Sequence, residues 1–265
     1  MKLELFLREL LLQAGGRLRQ QYGRVKSIRY KSGAVTNLVT NVDQDVERFI
    51  KTRIKKKYPE DSILAEESEI ENADSPRRWI IDPLDGTTNF AHGLSLFCVS
   101  IGVELNREIV AGGVYDPIHE ELFFALKGKG ATMNGKKIRV SKTKQLKRAL
   151  VVTGFPYDIH EHPEKSLPYF NAMIQHAQGV RRLGSAALDI CYLAMSRFDA
   201  FFEVFLNPWD TAAGSLILQE AGGVITDFRG EPFSVYTREL AASNGLIHDE
   251  MIEVLKETKK ETTHR

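Results

Sequence analysis

The stretch Trp79 to Phe90, WIIDPLDGTTNF, constrains this chain more than any other. Trp79-Ile80-Ile81 has the β-branched and aromatic content of a short buried strand. The strand is expected to end abruptly in Asp82-Pro83-Leu84-Asp85-Gly86-Thr87-Thr88. Pro83 fixes its own φ and removes a donor, and Gly86 can adopt conformations closed to other residues, so the segment specifies a tight turn. Asp82 and Asp85 on such a turn can point the same way. Two anions held together are costly unless a cation neutralises them, and hard oxygen ligands suit Mg²⁺ or Mn²⁺. Taken alone, the same residues also read as an Asp-Pro turn followed by an Asp N-cap.

Other stretches repeat the theme. Ser62-Ile63-Leu64-Ala65-Glu66-Glu67-Ser68 is a short apolar run ending in a pair of acids. Downstream, strand-like residues 199–203 are followed by Asn207-Pro208-Trp209-Asp210-Thr211-Ala212-Ala213-Gly214 and a helical segment ending Glu220-Ala221-Gly222-Gly223. An acid again sits at the start of a helix after a strand, and Asp210 reads as its N-cap.

With these motifs in this order, the chain resembles the inositol monophosphatase family of Mg²⁺-dependent sugar-phosphate phosphatases. The resemblance rests on Glu66-Glu67-Ser68, Trp79 to Phe90 and Trp209 to Gly214. Arg182-Leu183-Gly184-Ser185-Ala186-Ala187 and Glu220 to Gly223 extend it over nearly the whole chain. It implies an αβαβα layered sandwich, an α/β architecture of the inositol monophosphatase and fructose-1,6-bisphosphatase type, and also a homodimer and sensitivity to lithium. It further implies two to three Mg²⁺ ions, with Mn²⁺ as a substitute. By the same resemblance Glu66, Asp82, the backbone carbonyl of Leu84, Asp85 and Asp210 match the metal ligands, with Asp82 bridging two ions. Gly86, Thr87 and Thr88 match phosphate-binding positions at a helix N-terminus, where free N–H groups and the helix dipole favour an anion. Asp43 and Thr87 match a pair that activates the attacking water, together with Glu66; Asp43, three residues after Thr40, also fits a capping-box-like helix start. Asp85, Gly184, Ser185, Ala186 and Glu203 match positions that contact the inositol ring, and Lys31 would come from a lid loop.

The activity so implied is hydrolysis of a phosphomonoester, inositol 1-phosphate, by metal-activated water attacking in line. No Gly-x-Ser-x-Gly elbow or reactive-cysteine context is present, so covalent catalysis through Ser or Cys is not expected. Arg181-Arg182 departs from the animal enzymes. Two guanidinium groups beside the pocket can hold a second phosphate, which favours fructose 1,6-bisphosphate, or they can serve in a surface or dimer ion pair. A reading of another class also follows, because some bacterial relatives bind the transcription or ribosome-assembly machinery. In that reading catalysis is secondary to a protein partner.

With 265 residues the chain can build a large core. One catalytic unit is expected, with an N-terminal α+β subdomain over residues 1–145 and an α/β subdomain over 146–265. The formal net charge of +1 makes no electrostatic case for nucleic acid or an anionic membrane. Cys98 and Cys191 lie in apolar contexts and read as buried thiols. No apolar run approaches ~18 residues and no signal-peptide pattern is evident, which leaves the cytoplasm as the expected location. The seven histidines have no zinc-site spacing, and Gly128-Lys129-Gly130 lacks the spacing of a P-loop.

Apolar periodicity predicts helices over 2–22 and 40–57, with a basic, mobile loop or hairpin over 23–39 between them. Residues 96–105, 108–115 and 121–126 read as an antiparallel meander. From Ala149 strands and helices alternate: strands at 150–153, 180–183, 198–203, 224–226 and 240–243, and helices at 164–176, 186–195, 211–221 and 248–256. This alternation is the pattern of a layered α/β architecture.

Overall fold

The computed structural model describes residues 2–24, 28–30 and 38–263. Helix α1 (Lys2–Gln21) buries Phe6, Leu7, Leu10, Leu11, Ala14 and Leu18, the stripe expected of an amphipathic helix. Strands β1 (Ile28–Tyr30) and β2 (Leu38–Thr40) pair antiparallel, so the two arms of the expected hairpin are present. Lys31, Thr36 and Asn37 lie outside the described residues. Helix α2 (Asn41–Lys57) buries Val42, Val46, Ile50 and Ile54 on one face and Asp43 in its first turn.

The chain then builds a sheet of eight strands. These are β3 (Ser62–Ala65), β4 (Ser68–Glu71), β5 (Arg77–Asp85), β6 (Cys98–Leu105), β7 (Glu108–Asp116), β8 (Glu121–Leu126), β9 (Ala131–Met133) and β10 (Lys136–Lys137). The five-residue helix α3 (Thr87–Ala91) separates β5 from β6. The strand order is β10-β9-β8-β7-β6-β5-β3-β4. Every pair is antiparallel except β3 with β5.

The rest of the chain alternates: β11 (Leu150–Thr153), α4 (Leu167–His176), β12 (Gly179–Arg181), α5 (Ala186–Ala194), β13 (Ala200–Val204), α6 (Pro208–Glu220), β14 (Val224–Thr226), β15 (Glu239–Ser243) and α7 (His248–Thr263). Its five strands lie in the order β12-β11-β13-β15-β14. Strand β11 runs parallel to both β12 and β13, whereas β15 runs antiparallel to β13 and β14.

Three large hydrophobic cores and a small fourth one hold five layers together. Helices α1 and α2 cover one face of the large sheet, packing on Trp79, Ile81, Val99, Ile101 and Val103. Helices α5 and α6 fill the space between the sheets, with Leu188, Ile190, Leu216 and Ile217 set against Val114 and Phe123 on one side and Phe201 and Ala242 on the other. Helices α4 and α7 close the far side, where Met173, Met251 and Leu255 meet Phe202 and Ala241. Consecutive residues such as Phe201 and Phe202 enter different cores because a strand sends successive side chains to opposite faces. The result is the helix–sheet–helix–sheet–helix sandwich that the resemblance implied. Among the described residues no helix is long and apolar enough to cross a membrane.

Two element boundaries differ from expectation in ways that matter for the site. Strand β5 does not stop at Ile81; it runs on to Asp85 because its register against β6 shifts between Asp82 and Asp85, which keeps both residues paired. Helix α6 starts at Pro208 rather than Thr211. Proline suits the first helical position, Asn207 takes the N-cap, and Asp210 becomes the third helical residue.

Glycines set how closely α6 approaches the large sheet. A Cβ on Gly112 of β7 would lie 2.8 Å from the carbonyl oxygen of Ala213, and one on Gly102 of β6 would lie 2.8 Å from the Cβ of Ala212. Both contacts are closer than carbon atoms tolerate, so α6 rests directly on strand backbone just beyond Asp210. Gly112→Ala is therefore expected to destabilise the fold by ~1–3 kcal/mol through overpacking. A denaturant midpoint equal to that of the unaltered protein would count against this account.

Candidate active site

Four chain segments meet where β5 ends. Asp82 has its carboxylate turned back on the backbone, accepting the Leu84 N–H at 3.0 Å. Gly86 follows at φ 94° and opens α3. A Cβ there would sit 2.8 Å from the Leu96 carbonyl oxygen, so both conformation and space select glycine. The Thr87 hydroxyl lies 3.0 Å from the Leu84 carbonyl and 3.0 Å from Oδ1 of Asp43, which reaches it from the first turn of α2. Asp43 and Thr87, 44 positions apart in the chain, thus form one buried pair.

Asp85 carries the link to the second half of the chain. Its Oδ2 accepts the Ser185 hydroxyl at 2.7 Å and the Ala187 N–H at 2.7 Å, both at the start of α5. Glu66 is brought alongside by its own N–H, which donates to the Ile81 carbonyl at 3.2 Å. Asp210 enters from the first turn of α6, where its Oδ2 accepts the Asn207 N–H at 2.6 Å.

The electrostatic cost of this gathering is visible in the three aspartates. Burial, then repulsion from Glu66, Asp85 and Asp210, pushes Asp82 well above the ordinary carboxyl range. Asp210 is pushed well up by burial and then by Asp85. Asp85 rises to about 6, burial outweighing the hydrogen bonds from Ser185 and Ala187.

Glu66, Asp82, Leu84, Asp85, Gly86, Thr87, Thr88, Arg182, Gly184, Ser185, Ala186, Glu203 and Asp210 all line one cavity of about 540 Å³. Asp43 stands behind Thr87. Among the described residues no three acidic, histidine or cysteine side chains are gathered tightly enough to hold an ion as they stand, so ligation requires the carboxylates to rotate inward. The donor set nevertheless fits a hard divalent cation: four carboxylates and a carbonyl, all oxygen, each raising the others' proton affinity in a way that a cation relieves.

Residues 2–260 match the model of the inositol monophosphatase family. The chain belongs to that family. It is 42% identical to an inositol-1-monophosphatase of Synechocystis sp., over 94% of this chain and 87% of that one. It is also 42% identical to the Nus factor SuhB of Vibrio cholerae, over 88% and 87% of the two chains. A fructose-1,6-bisphosphatase/inositol-1-monophosphatase of Thermotoga maritima is 39% identical over 96% of this chain and 95% of its own. Among solved structures, an IMPase of Thermotoga maritima superposes with a TM-score of 0.89 at 37% identity, covering 99% of this chain and 100% of that one. The fold is the inositol monophosphatase and fructose-1,6-bisphosphatase type, with two mixed sheets flanked by helices.

Beside the expected residues the cavity contains Asp189 and Tyr157, which the motifs did not reveal. Asp189 on α5 is buried, lines the cavity and has neither carboxylate oxygen hydrogen-bonded. Burial, then Glu203 and Asp85, pushes it well up, against the pull of Arg182. Its signal was available as the one acid in the otherwise apolar run AALDICYLA. Glu203 on β13 is pushed up to about 8 by burial, with Arg182 drawing it down and Asp85 raising it. Gly154, which follows β11, makes room for it: a Cβ there would fall 2.2 Å from Oε2 of Glu203. Tyr157 is 45% exposed, yet its hydroxyl is pushed well up by burial and by the charges of Glu66, Asp210, Asp85 and Asp82.

These shifts have a definite sign. Asp85 and Glu203 bind protons more tightly folded than unfolded, so the protein in chelator should lose stability as pH rises from about 4, through about 6 for Asp85 and about 8 for Glu203. Mg²⁺ should then raise the melting temperature more at pH 8 than at pH 5, with protons released on binding. A Mg²⁺ effect independent of pH would contradict the convergence of these carboxylates on one ion-binding region.

Proposed function

We propose that the chain is a Mg²⁺-dependent phosphomonoesterase that hydrolyses a phosphorylated polyol, with inositol 1-phosphate as the leading substrate. The observation that carries this reading is the meeting of four carboxylates, the buried Asp82 and Asp85 and the half-buried Glu66 and Asp210, with the Asp43–Thr87 pair at one cavity. Glu66, Asp82, the Leu84 carbonyl, Asp85 and Asp210 would hold two to three Mg²⁺ ions, with Mn²⁺ as a substitute, and these ions, when bound, lower the pKa of water and screen charge on the ester.

The chain's own groups account for the remaining requirements. The first amides of α3, from Gly86 to Thr88, receive phosphate oxygens. The Thr87 hydroxyl donates to Asp43, so its lone pair is free to accept a proton of the attacking water and to fix that water in line with the ester bond. Ser185 and the Ala187 amide hold Asp85 in place. Glu203, with the backbone of Gly184 and Ala186, presents hydrogen-bonding groups to the polyol hydroxyls. A buried carboxyl there discriminates strongly, because an analogue lacking the hydroxyl leaves it unpaired.

Phosphate release from inositol 1-phosphate should require Mg²⁺ and be abolished by chelator. Asp85→Asn should lower turnover by ~10³-fold or more while circular dichroism remains unchanged. Thr87→Ala and Asp43→Asn should each lower it by ~10²–10⁴-fold, and the double variant should lose little more than either single one, since the two act as a unit. Near-normal turnover in a folded Asp85→Asn protein would sink this reading.

The relatives called Nus factor SuhB match the chain as well as those called inositol-1-monophosphatase. They favour a second reading, in which the protein binds a transcription or ribosome-assembly component and hydrolysis is secondary. Capture of such a partner that survives Asp85→Asn unchanged would support it.

A further inference from the structure

Asn89 is the third residue of α3, and only 4% of it is exposed. Its side-chain nitrogen donates to the Leu96 carbonyl at 2.7 Å and to the Leu183 carbonyl at 2.8 Å, the second of these 94 positions further along the chain. A carbonyl oxygen only accepts, so the amide turns its NH2 to both, and its two hydrogens are fully used. The bond to Leu183 is one of two pins on the same turn. Leu183, Gly184 and Ser185 lead into α5, and Ser185 donates from the far end of that turn to Asp85. Gly184, between the pins, adopts φ 90°. A Cβ there would sit 3.2 Å from the Asn89 nitrogen and 2.7 Å from Nη1 of Arg182, so the turn packs bare backbone against the Asn89 amide.

The anchors of α3 show which side of the site this amide serves. Five residues are too few for a helix to hold its own direction, and α3 is fixed by groups other than the Asn89 side chain. Phe90 packs edge-on against Phe97 with ring centroids 4.9 Å apart, and the Thr87 hydroxyl meets Asp43 and the Leu84 carbonyl. The Gly86–Thr88 turn therefore keeps its place without the Asn89 amide. Across from it, Leu183 and Gly184 are half-buried and Arg182 is exposed, so that turn depends more on its pins.

We propose that Asn89 is a positioning residue that sets the span of the site: its amide holds the Leu183–Ala186 turn, which receives the polyol, at a fixed distance from the Gly86–Thr88 turn, which receives the phosphate. The assignment rests on the hydrolytic reading given above. Phosphate and ring belong to one substrate, so both turns are met together at one separation only. A displacement of about 1 Å is enough to cost ~10²-fold in rate. Asn89 acts through the turn, not on the reacting atoms.

The test uses the full chain and its Asn89→Ala and Asn89→Ser variants. Serine has a single donor and cannot serve both carbonyls, and it decides the matter if the alanine variant fails to fold. In Mg²⁺, kcat/KM for inositol 1-phosphate should fall ~10²-fold. The inhibition constant of inorganic phosphate, which occupies the Gly86–Thr88 turn alone, should stay within about twofold. Amide hydrogen exchange over residues 184–187 should quicken ~10-fold, as expected for one lost hydrogen bond, while residues 80–88 keep their rates. Equal weakening of substrate and phosphate, an unchanged kcat/KM, or unchanged exchange over 184–187 overturns the positioning role alone. Absence of Mg²⁺-dependent phosphate release by the unaltered protein overturns the hydrolytic reading and the positioning role with it; quickened exchange would then mark the pin as structural only.

Discussion

Mutual repulsion among buried carboxylates is the constraint around which this molecule is arranged. Asp82 and Asp85 are held out of water and Asp210 is half-buried, all within range of one another and of Glu66, and each of the three is harder to ionise for it. Such an arrangement persists only if the surrounding scaffold over-determines it. The bulged end of β5 places Asp82, while the bonds that Asp85 accepts from Ser185 and the Ala187 N–H, and the one that Asp210 accepts from the Asn207 N–H, hold those two carboxylates and favour their charged forms against the repulsion.

The layering supplies the rest of the stiffness. Helices α5 and α6 form the middle layer, sandwiched between two sheets, and their N-terminal turns deliver Ser185 and Asp210 to the same place. Gly102 and Gly112 allow α6 to rest on strand backbone, which leaves it little room to slide. Along β5, Ile80 packs toward Ala212 of α6 while Trp79 and Ile81 pack toward α1 and α2. One strand thereby ties the acidic turn to both of the cores it borders.

Much of the site was legible because its chemistry sits in short motifs. Asp82, Asp85, Gly86 and Thr87 lie within one turn, and a proline, a glycine and two acids in that spacing leave few alternatives. The strands of the meander were equally legible, since their β-branched and aromatic residues and the short turns between them are local. Less legible were features governed by pairing. Strand β5 extends through Pro83 because β6 accepts a register shift, which no residue of β5 announces. Asp210 looked like an N-cap, but Pro208 starts the helix earlier and Asn207 takes that place. Asp189 was passed over because one acid in an apolar helix does not say which side of that helix meets a cavity.

By itself the sequence determined the family, the layered α/β class, the acidic turn and the buried character of both cysteines, all of which follow from local pattern and residue type. Only the tertiary structure decided that Asp85 is held by the start of α5 and that the buried Asp189 lines the cavity. The physical reason is range. Conformational preference acts over a few residues, whereas hydrogen bonds and Coulomb forces act between groups that the packing of sheets and helices brings together from distant parts of the chain.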